Sequence, residues 1–112
     1  MKKIVLDTNF IIYCIKYKID IEKEIDRIIT ERFTIYVLSG TLEEINNLKL
    51  KESKIALEFC KRFKTIESQG HVDHAIKELI NEDVIVATND KELKRQLDKV
   101  IIVRKKSYLE LI

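Results

Sequence analysis

The sequence of 112 residues has no proline, no tryptophan and only two glycines, Gly40 and Gly70. Proline and glycine mark linkers and loops most strongly, so their scarcity argues against a flexible connection between two domains. The sequence also lacks long internal repeats and low-complexity segments. We therefore expect residues 1–112 to form a single domain.

Cysteine and long apolar runs are scarce as well. Cys14 and Cys60 are far apart and have no CxxC spacing, and we interpret both as small buried hydrophobic residues on helices. No apolar run approaches the roughly 20 residues that a membrane span needs. The first residues, MKKIVLD, reach an acid too early for a signal peptide. We therefore expect a cytoplasmic protein with no membrane association.

Charged residues are plentiful, at 36% of the chain, but their signs nearly balance at a net charge of +2. This composition indicates a well-solvated surface and only weakly favours a polyanionic partner. Lysine and arginine concentrate in three clusters: Lys61-Arg62 with Lys64, Lys91 with Lys94-Arg95, and Arg104-Lys105-Lys106. A solvated surface explains each cluster, and the functional alternative is contact with the phosphates of a nucleic acid.

Four short apolar runs are continuous rather than alternating and rich in β-branched residues: Ile4–Leu6, Ile35–Leu38, Val84–Ala87 and Val100–Val103. Such runs indicate strands covered on both faces, as in a parallel sheet, and Thr65-Ile66 is a weaker fifth candidate. Between the runs, apolar residues recur at helical spacing. The alternation predicts an α/β fold with a mostly parallel sheet and helices on both faces.

Polar and acidic residues directly follow two of these runs, as Asp7-Thr8-Asn9 and Thr88-Asn89-Asp90. Parallel strands end at the same edge of a sheet, where ligands of open α/β sheets bind, so we expect both segments there. Two further acids are placed to reach this edge. Glu44 is expected in the first turn of the helix after the second strand, and Asp73 in the first turn of a helix over 72–80.

Four carboxylates at one edge repel each other. At about 4 Å a like-charge pair costs roughly 4 kcal/mol at an effective dielectric near 20. No lysine or arginine is adjacent in sequence to Asp7, Glu44 or Asp73, and only Asp90 has such a neighbour, Lys91. A hard divalent cation would offset the repulsion, and oxygen ligands favour Mg²⁺ or Mn²⁺ over zinc.

Each acid also has a structural explanation. Residues 41–44, Thr-Leu-Glu-Glu, match a capping box with Glu44 at its third helical position, and residues 89–92, Asn-Asp-Lys-Glu, match another led by Asn89. Asp73 near a helix start favours the helix dipole, and Asp7 is able to cap a helix that begins at once. A parallel sheet would bring the four acids to one edge, so together they favour a catalytic role over separate structural roles.

The same segments resemble the PIN-domain ribonuclease family. The resemblance rests on Val5-Leu6-Asp7-Thr8-Asn9-Phe10, residues 44–48, residues 73–76 and Val86-Ala87-Thr88-Asn89-Asp90-Lys91-Glu92-Leu93. Their order and spacing match over nearly the whole chain, and the first and last segments are the specific ones. The sequence is most similar to short archaeal PIN proteins, related to the ribosomal-RNA-processing branch and, more distantly, to toxin ribonucleases.

The resemblance implies a three-layer α/β/α sandwich around a mostly parallel sheet and a Mg²⁺- or Mn²⁺-dependent endoribonuclease. The family's acidic quartet, its catalytic and metal-binding residues, carries over to Asp7, Glu44, Asp73 and Asp90. The residues expected to orient those carboxylates are Thr8, Asn9, Thr88 and Asn89. Among the basic clusters, Lys91, Lys94 and Arg95 are the predicted RNA contacts, because their helix begins at the acidic edge.

The sequence departs from the family pattern at His74, where relatives often have a second acid. If that acid is a ligand in this branch, metal affinity is weaker here. The register of the weak glutamate segment leaves Glu43 as an alternative to Glu44. His71 and His74 have the composition of a zinc site, but no third or fourth soft ligand is nearby, so we interpret them as a pH-sensitive contact at the rim.

Two other functions remain open from the sequence. A catalytically weak PIN-like module that binds RNA or protein is one, and a toxin ribonuclease with an antitoxin partner is the other. We expect RNA as the substrate and, by analogy with many PIN proteins, a homodimer. The apolar residues Tyr108, Leu109, Leu111 and Ile112 near the C-terminus are expected to cover either a sheet edge or a partner.

Overall fold

A computed structural model describes all 112 residues and contains one six-stranded sheet with the order β3-β2-β1-β4-β5-β6. The strands are β1 (Lys2–Leu6), β2 (Phe33–Leu38), β3 (Lys64–Ile66), β4 (Val84–Ala87), β5 (Val100–Arg104) and β6 (Tyr108–Leu111). All neighbouring strands pair in parallel except β5 and β6, which are antiparallel. The four strands predicted from apolar runs and the weaker candidate at Thr65-Ile66 are therefore confirmed.

Helices cover both faces of the sheet. They are α1 (Thr8–Lys16), α2 (Ile21–Ile28), α3 (Ser39–Leu48), α4 (Ser53–Cys60), α5 (Val72–Leu79) and α6 (Lys91–Lys94). Side chains of a strand alternate between faces, and accordingly Ile4 and Leu6 pack in one core while Val5 packs in the other. The continuous apolar strands reflect this burial on both sides, and the predicted α/β/α sandwich is confirmed.

The two cores differ in size. The large core contains 18 buried residues beneath α1, α2, α3 and α4, and includes Phe10 and Ile25. The small core contains 7 buried residues beneath α5 and α6, and includes Ile76 and Leu93. Cys14 and Cys60 are buried as free thiols in the large core, and burial raises their pKa values to about 12 and about 11. Their predicted role as buried hydrophobic residues is confirmed.

The C-terminal residues form β6, so they cover the sheet edge, the first of the two alternatives left by the sequence. Leu109 is fully buried, and both of its backbone groups bond to α2: its N–H donates to Glu24 Oε1 (2.9 Å) and its carbonyl accepts from Arg27 (2.7 Å). The hydrogen bond from Arg27 also lowers the pKa of Glu24. Because these bonds occupy the outer side of β6, this part of the edge is closed to another strand.

Two predicted helix starts were wrong. Helix α3 begins at Ser39, so Thr41 is inside it, Glu44 is its sixth residue rather than in the first turn, and the predicted capping box is absent. The reason is a tertiary contact. A helix that begins at Ser39 leaves the Gly40 N–H without a partner in the helix, and Ser68 Oγ accepts its hydrogen bond (2.9 Å). At α6, Asp90 rather than Asn89 is the N-cap, with Oδ1 accepting from Leu93 N (3.0 Å).

None of the six helices has both the length and the apolar character that crossing a membrane requires.

Candidate active site

Asp7 lies where β1 gives way to α1. Strands β1 and β4 are parallel neighbours with Leu6 opposite Ala87, and the Asp7 amide continues the ladder to the Ala87 carbonyl (3.0 Å). The Asp7 side chain then caps α1, with Oδ1 accepting from Thr8 N (2.9 Å). Only 4% of Asp7 is exposed. The strand end therefore fixes a nearly buried carboxyl at the carboxyl edge of the sheet.

Thr88 joins the two strand-end acids. Its hydroxyl donates to Asp7 Oδ2 (2.8 Å) and accepts from the backbone N–H of Asp90 (3.0 Å). Thr88 is fully buried, so this hydroxyl has little freedom to move. The acid after β1 and the acid after β4 are thereby held in one arrangement by a single side chain.

Burial is the largest influence on the Asp7 carboxyl and raises its pKa from 3.8 to about 6. The hydrogen bond from Thr88 opposes this shift, whereas the negative charges of Asp73 and Asp90 add to it. None of the ion pairs in the structure involves any of the four predicted acids. The four acids therefore have no ion-pair partner within the protein.

Glu44 and Asp73 reach the same edge from opposite helical layers. Glu44 Oε1 accepts a hydrogen bond from the Thr8 hydroxyl, which ties it to the residue that follows Asp7. Asp73 is the second residue of α5, as predicted; it is exposed, and its negative charge raises the pKa of Asp7. The chain thus brings Asp7, Asp73 and Asp90 into electrostatic contact and links Glu44 to them through Thr8.

The donor set is made of oxygen atoms, but no three acidic, histidine or cysteine side chains approach closely enough to hold one ion together. A cation that takes many protein ligands therefore does not fit this arrangement. The oxygen donors are compatible with Mg²⁺, which keeps several waters and usually binds only one or two carboxylates along with substrate phosphates. A zinc site at His71 and His74 does not fit: His74 instead pairs with Glu78 (3.0 Å).

The four residues predicted to orient the carboxylates behave differently. Thr8 and Thr88 each hydrogen-bond a carboxylate of the site, as described above. Asn9 is exposed and its side chain makes no hydrogen bond. Asn89 Oδ1 accepts from Val103 N (3.0 Å) and so ties the loop before Asp90 to β5 rather than to an acid.

The predicted RNA contacts lie on and just after α6. Lys91 and Arg95 are exposed, and Arg95 pairs with Glu92 (2.9 Å) within its own turn. With Lys94 they line a cavity of about 470 Å³ whose other walls include Leu97, Asp98, Val100 and Ile112.

A cavity of about 600 Å³ beside α5 was not predicted. Its lining includes Leu38 and Ile66, the last residues of β2 and β3, together with Ser68, His74 and Glu78. Ser68 N donates to Ser39 Oγ (2.9 Å), and a Cβ at Gly40 would come to 3.0 Å from Ser68 Oγ. The signal in the sequence was Gly40, one of only two glycines, which allows α3 to start against this loop.

Fold and site together define a class: a three-layer α/β/α protein with acidic side chains gathered at the carboxyl edge of a parallel sheet. The chain belongs to the PIN-like domain family, whose family model matches residues 4–106. It is 42% identical to Ribonuclease VapC4 of Methanocaldococcus jannaschii, over 99% of this chain and 97% of that protein. The resemblance inferred from the sequence is confirmed.

Two solved structures establish the fold independently. The PIN domain endonuclease Utp24 superposes with a TM-score of 0.85 at 23% identity, covering 97% of this chain and 90% of the other. VapBC2 from Rickettsia felis, bound to a DNA fragment from its promoter, superposes with a TM-score of 0.56 at 20% identity, covering 95% and 98%.

Proposed function

We propose that the chain is a single-domain, Mg²⁺- or Mn²⁺-dependent endoribonuclease that hydrolyses RNA phosphodiester bonds, leaving a 5′-phosphate and a 3′-hydroxyl. The observation that carries the proposal is the setting of Asp7: its carboxyl is only 4% exposed, it feels the negative charges of Asp73 and Asp90, and it has no paired cationic side chain. A buried carboxylate without a cation is costly, and a bound divalent ion removes that cost.

The proposed roles follow from the contacts at the edge. Asp7 and Asp90 would hold the cation directly. Asp73 and Glu44 would join them through waters bound to the cation, because no three acids lie close enough to share one ion. When bound, the cation supplies Lewis acidity, which activates water and offsets charge on the phosphodiester. Thr88 holds the Asp7 carboxyl in a fixed position relative to the Asp90 backbone, and Thr8 holds Glu44 toward the same edge.

Two further features support a nucleic-acid substrate. Helix α6 begins directly after Asp90, so its lysines, Lys91 and Lys94, are placed to contact phosphates near the acidic edge. The relative at 42% identity is named a ribonuclease, and one neighbour of the same fold is named an endonuclease. RNA is therefore the substrate class that we propose.

The test is cleavage of an end-labelled single-stranded RNA by purified protein in Mn²⁺, Mg²⁺ or EDTA. Removing residues that merely orient metal ligands costs about 10–100-fold, so Asp7→Asn should reduce the rate by more than about 100-fold. Asp83→Asn is the matched control, because Asp83 is exposed just before β4, at the opposite edge of the sheet. An Asp7→Asn protein with full activity, or equal cleavage in EDTA, would rule out the proposal.

A binding module that cleaves poorly is the second candidate, and His74 favours it. Where the family resemblance leads one to expect another acid, this chain has an exposed histidine paired with Glu78. RNA binding that persists in purified protein without any cleavage in Mn²⁺ would favour the binding module. Activity gained by His74→Asp would indicate instead that a ligand had been missing.

A toxin role is the third candidate, and it rests on the similarity to Ribonuclease VapC4 and on the VapBC2 neighbour. In that role the chain would have an antitoxin partner and would arrest growth when expressed alone. We also propose a homodimer, which sedimentation equilibrium of the purified chain tests directly. Growth that is unaffected by wild-type protein at a level where RNA is cleaved in vitro would count against the toxin role.

A further inference from the structure

A cluster of aromatic and cationic side chains lies where the end of α1 meets the β5–β6 hairpin. Tyr13 and Tyr17 are one helical turn apart, with ring centroids 4.6 Å apart and planes tilted by 50°. Lys16 Nζ lies 5.5 Å from the Tyr17 centroid, and Lys106 Nζ from the hairpin lies 5.3 Å from it. We call Tyr13, Lys16, Tyr17, Lys105 and Lys106 the hairpin patch.

The hairpin tip carries its lysines in an unusual backbone conformation. Ser107 N donates to the Arg104 carbonyl (3.0 Å), which closes a four-residue turn with Lys105 and Lys106 at its centre. Their φ angles are 51° and 53°, a combination that normally selects Asn-Gly. Lysine is not the residue that this turn favours, so local conformation does not explain two lysines here.

The charges of the patch are not neutralised by the protein. Lys16, Lys105 and Lys106 take part in no ion pair, and the neighbouring Arg104 is already paired with Glu110 (3.2 Å). Two of these three ammonium groups lie against one half-buried tyrosine ring. The result is an aromatic surface surrounded by uncompensated positive charge.

The hairpin that carries Lys105 and Lys106 is connected to the acidic edge through β5. Strand β5 is parallel to β4, so the hairpin that follows it projects from the edge where Asp90 lies. The connection is direct, because Val103 N donates to Asn89 Oδ1, one residue before Asp90. The hairpin lysines are therefore placed on the same side of the sheet as Asp90.

We propose that the hairpin patch binds single-stranded RNA beside the acidic edge, with one base stacked on the tyrosine rings and the lysines on the adjoining phosphates. Unpaired bases stack on aromatic side chains, and cationic groups follow the backbone, so this combination suits a single strand. An acidic peptide would contact the lysines but would bring no base to stack on the rings. The inference rests on the proposed ribonuclease function, because it assumes RNA at that edge.

Two variants separate charge from stacking. Lys105→Asn with Lys106→Gly removes both charges and installs the residues that the turn prefers, so thermal stability should rise. Tyr17→Leu removes the ring but keeps apolar bulk, and Tyr17→Phe keeps the ring. Lys49→Gly with Lys51→Asn is the matched control: it removes two exposed lysines, one also at positive φ (51°), between α3 and α4.

Binding is measured by fluorescence anisotropy of a labelled 12-nucleotide oligo(U) RNA. EDTA is present to remove divalent cations, so that binding is measured without cleavage. Each phosphate contact contributes about 0.7 to the salt slope of a single strand, or roughly fivefold in affinity at 0.1 M salt. The Lys105/Lys106 variant should therefore bind roughly 20-fold more weakly, with a slope lower by about 1.4. Tyr17→Leu should lose about tenfold with an unchanged slope, and Tyr17→Phe should restore binding.

Several results would overturn the inference: wild-type affinity in both the lysine and Tyr17→Leu variants, equal losses in the Lys49/Lys51 control, or equally tight binding of polyglutamate or duplex RNA. Because the assay contains no divalent cation, it is independent of catalysis. A chain that binds through the hairpin patch but never cleaves RNA would refute the ribonuclease proposal alone. A chain that cleaves with unchanged KM in both variants would refute the hairpin patch alone.

Discussion

The two faces of the sheet are covered very unequally. On one side four helices bury 18 residues, whereas on the other α5 and the four-residue α6 bury 7. The acids come from both sides, since Asp7 and Glu44 belong to the elements of the large core and Asp73 and Asp90 to those of the small one. We call the side covered by α1, α2, α3 and α4 the thick layer and the side covered by α5 and α6 the thin layer. The site therefore joins the thick layer to the thin one.

This inequality bears on how the site works. Local opening is easiest where few apolar contacts are buried, so α5 and α6 should open more readily than α1 and α2. No three acids are gathered closely enough to ligate one ion in the present arrangement. A small movement of the thin layer would change the distances from Asp73 and Asp90 to Asp7. The comparison thus predicts that the thick layer supplies most of the stability, and that the thin layer moves to bring Asp73 and Asp90 toward Asp7.

The largest effect should come from the thick layer. Phe10 is 1% exposed in the large core, and Phe10→Ala should destabilise the fold by about 3–5 kcal/mol. Leu93 is equally buried in the small core, but α6 is short enough to shift into the space, so Leu93→Ala should cost only about 2 kcal/mol. Urea unfolding with unchanged m-values measures both. Equal costs would mean that the two layers are equally rigid.

Asp7→Asn should stabilise the protein in EDTA at neutral pH. The pKa of Asp7 is raised to about 6, mainly by burial, so its ionisation costs the folded state about 3 kcal/mol relative to the unfolded chain. Below pH 3.8 the Asp7 carboxyl is protonated in both the folded and the unfolded state, so the wild-type protein does not incur this cost. The wild-type protein loses about 3 kcal/mol of stability as pH rises from 3.8 through 6. The variant should therefore be more stable at pH 7 by up to about 3 kcal/mol and equal at pH 4.

The check on that prediction is a series of urea unfolding curves from pH 4 to pH 8, with Asp83→Asn as the control for a lost surface charge. The control should follow the wild type throughout, because Asp83 is exposed. A destabilised Asp7→Asn protein at pH 7 would show that the bonds from Thr8 and Thr88 outweigh the cost of burying the charge.

Divalent cations should act mainly on the thin layer. A ligand at 100 times its dissociation constant stabilises by about 2.7 kcal/mol, which slows exchange by about 100-fold where opening breaks the site. In Mn²⁺, amides of α5 should therefore become protected, while those of α1 and α2 change little. Hydrogen exchange with mass spectrometry measures this. The same protection in Asp7→Asn, or protection spread evenly over both layers, would contradict it.

Residues whose environment is set locally or by strand pairing were predictable from the sequence. The apolar runs predicted four of the parallel strands, and the direction of parallel strands predicted the shared edge for Asp7 and Asp90. The position of Asp73 in the first turn of α5 followed from its helical stripe. These inferences needed only the periodicity of side chains and the direction of the strands.

Features that depend on distant contacts were not predictable. The start of α3 is decided by Ser68, which is 28 residues away from Gly40 and replaces the local capping box. Asn89 was expected to lead a capping box, but its side chain is engaged by Val103 of the neighbouring strand. The meeting of Tyr17 with Lys106 depends on how α1 crosses the sheet, which no local pattern specifies.

The smallest effect that we predict comes from a polar defect of the thick layer. Thr41 is fully buried in α3, and its hydroxyl is the one buried side-chain group without a hydrogen-bond partner. An unsatisfied buried hydroxyl is costly, and valine has the same shape without it, so Thr41→Val should stabilise the fold by about 1 kcal/mol. Thr41→Ser keeps the hydroxyl and loses a methyl group, so it should destabilise instead. If valine destabilises in urea unfolding, Thr41 has a partner in solution, and the thick layer is more polar at α3 than its packing indicates.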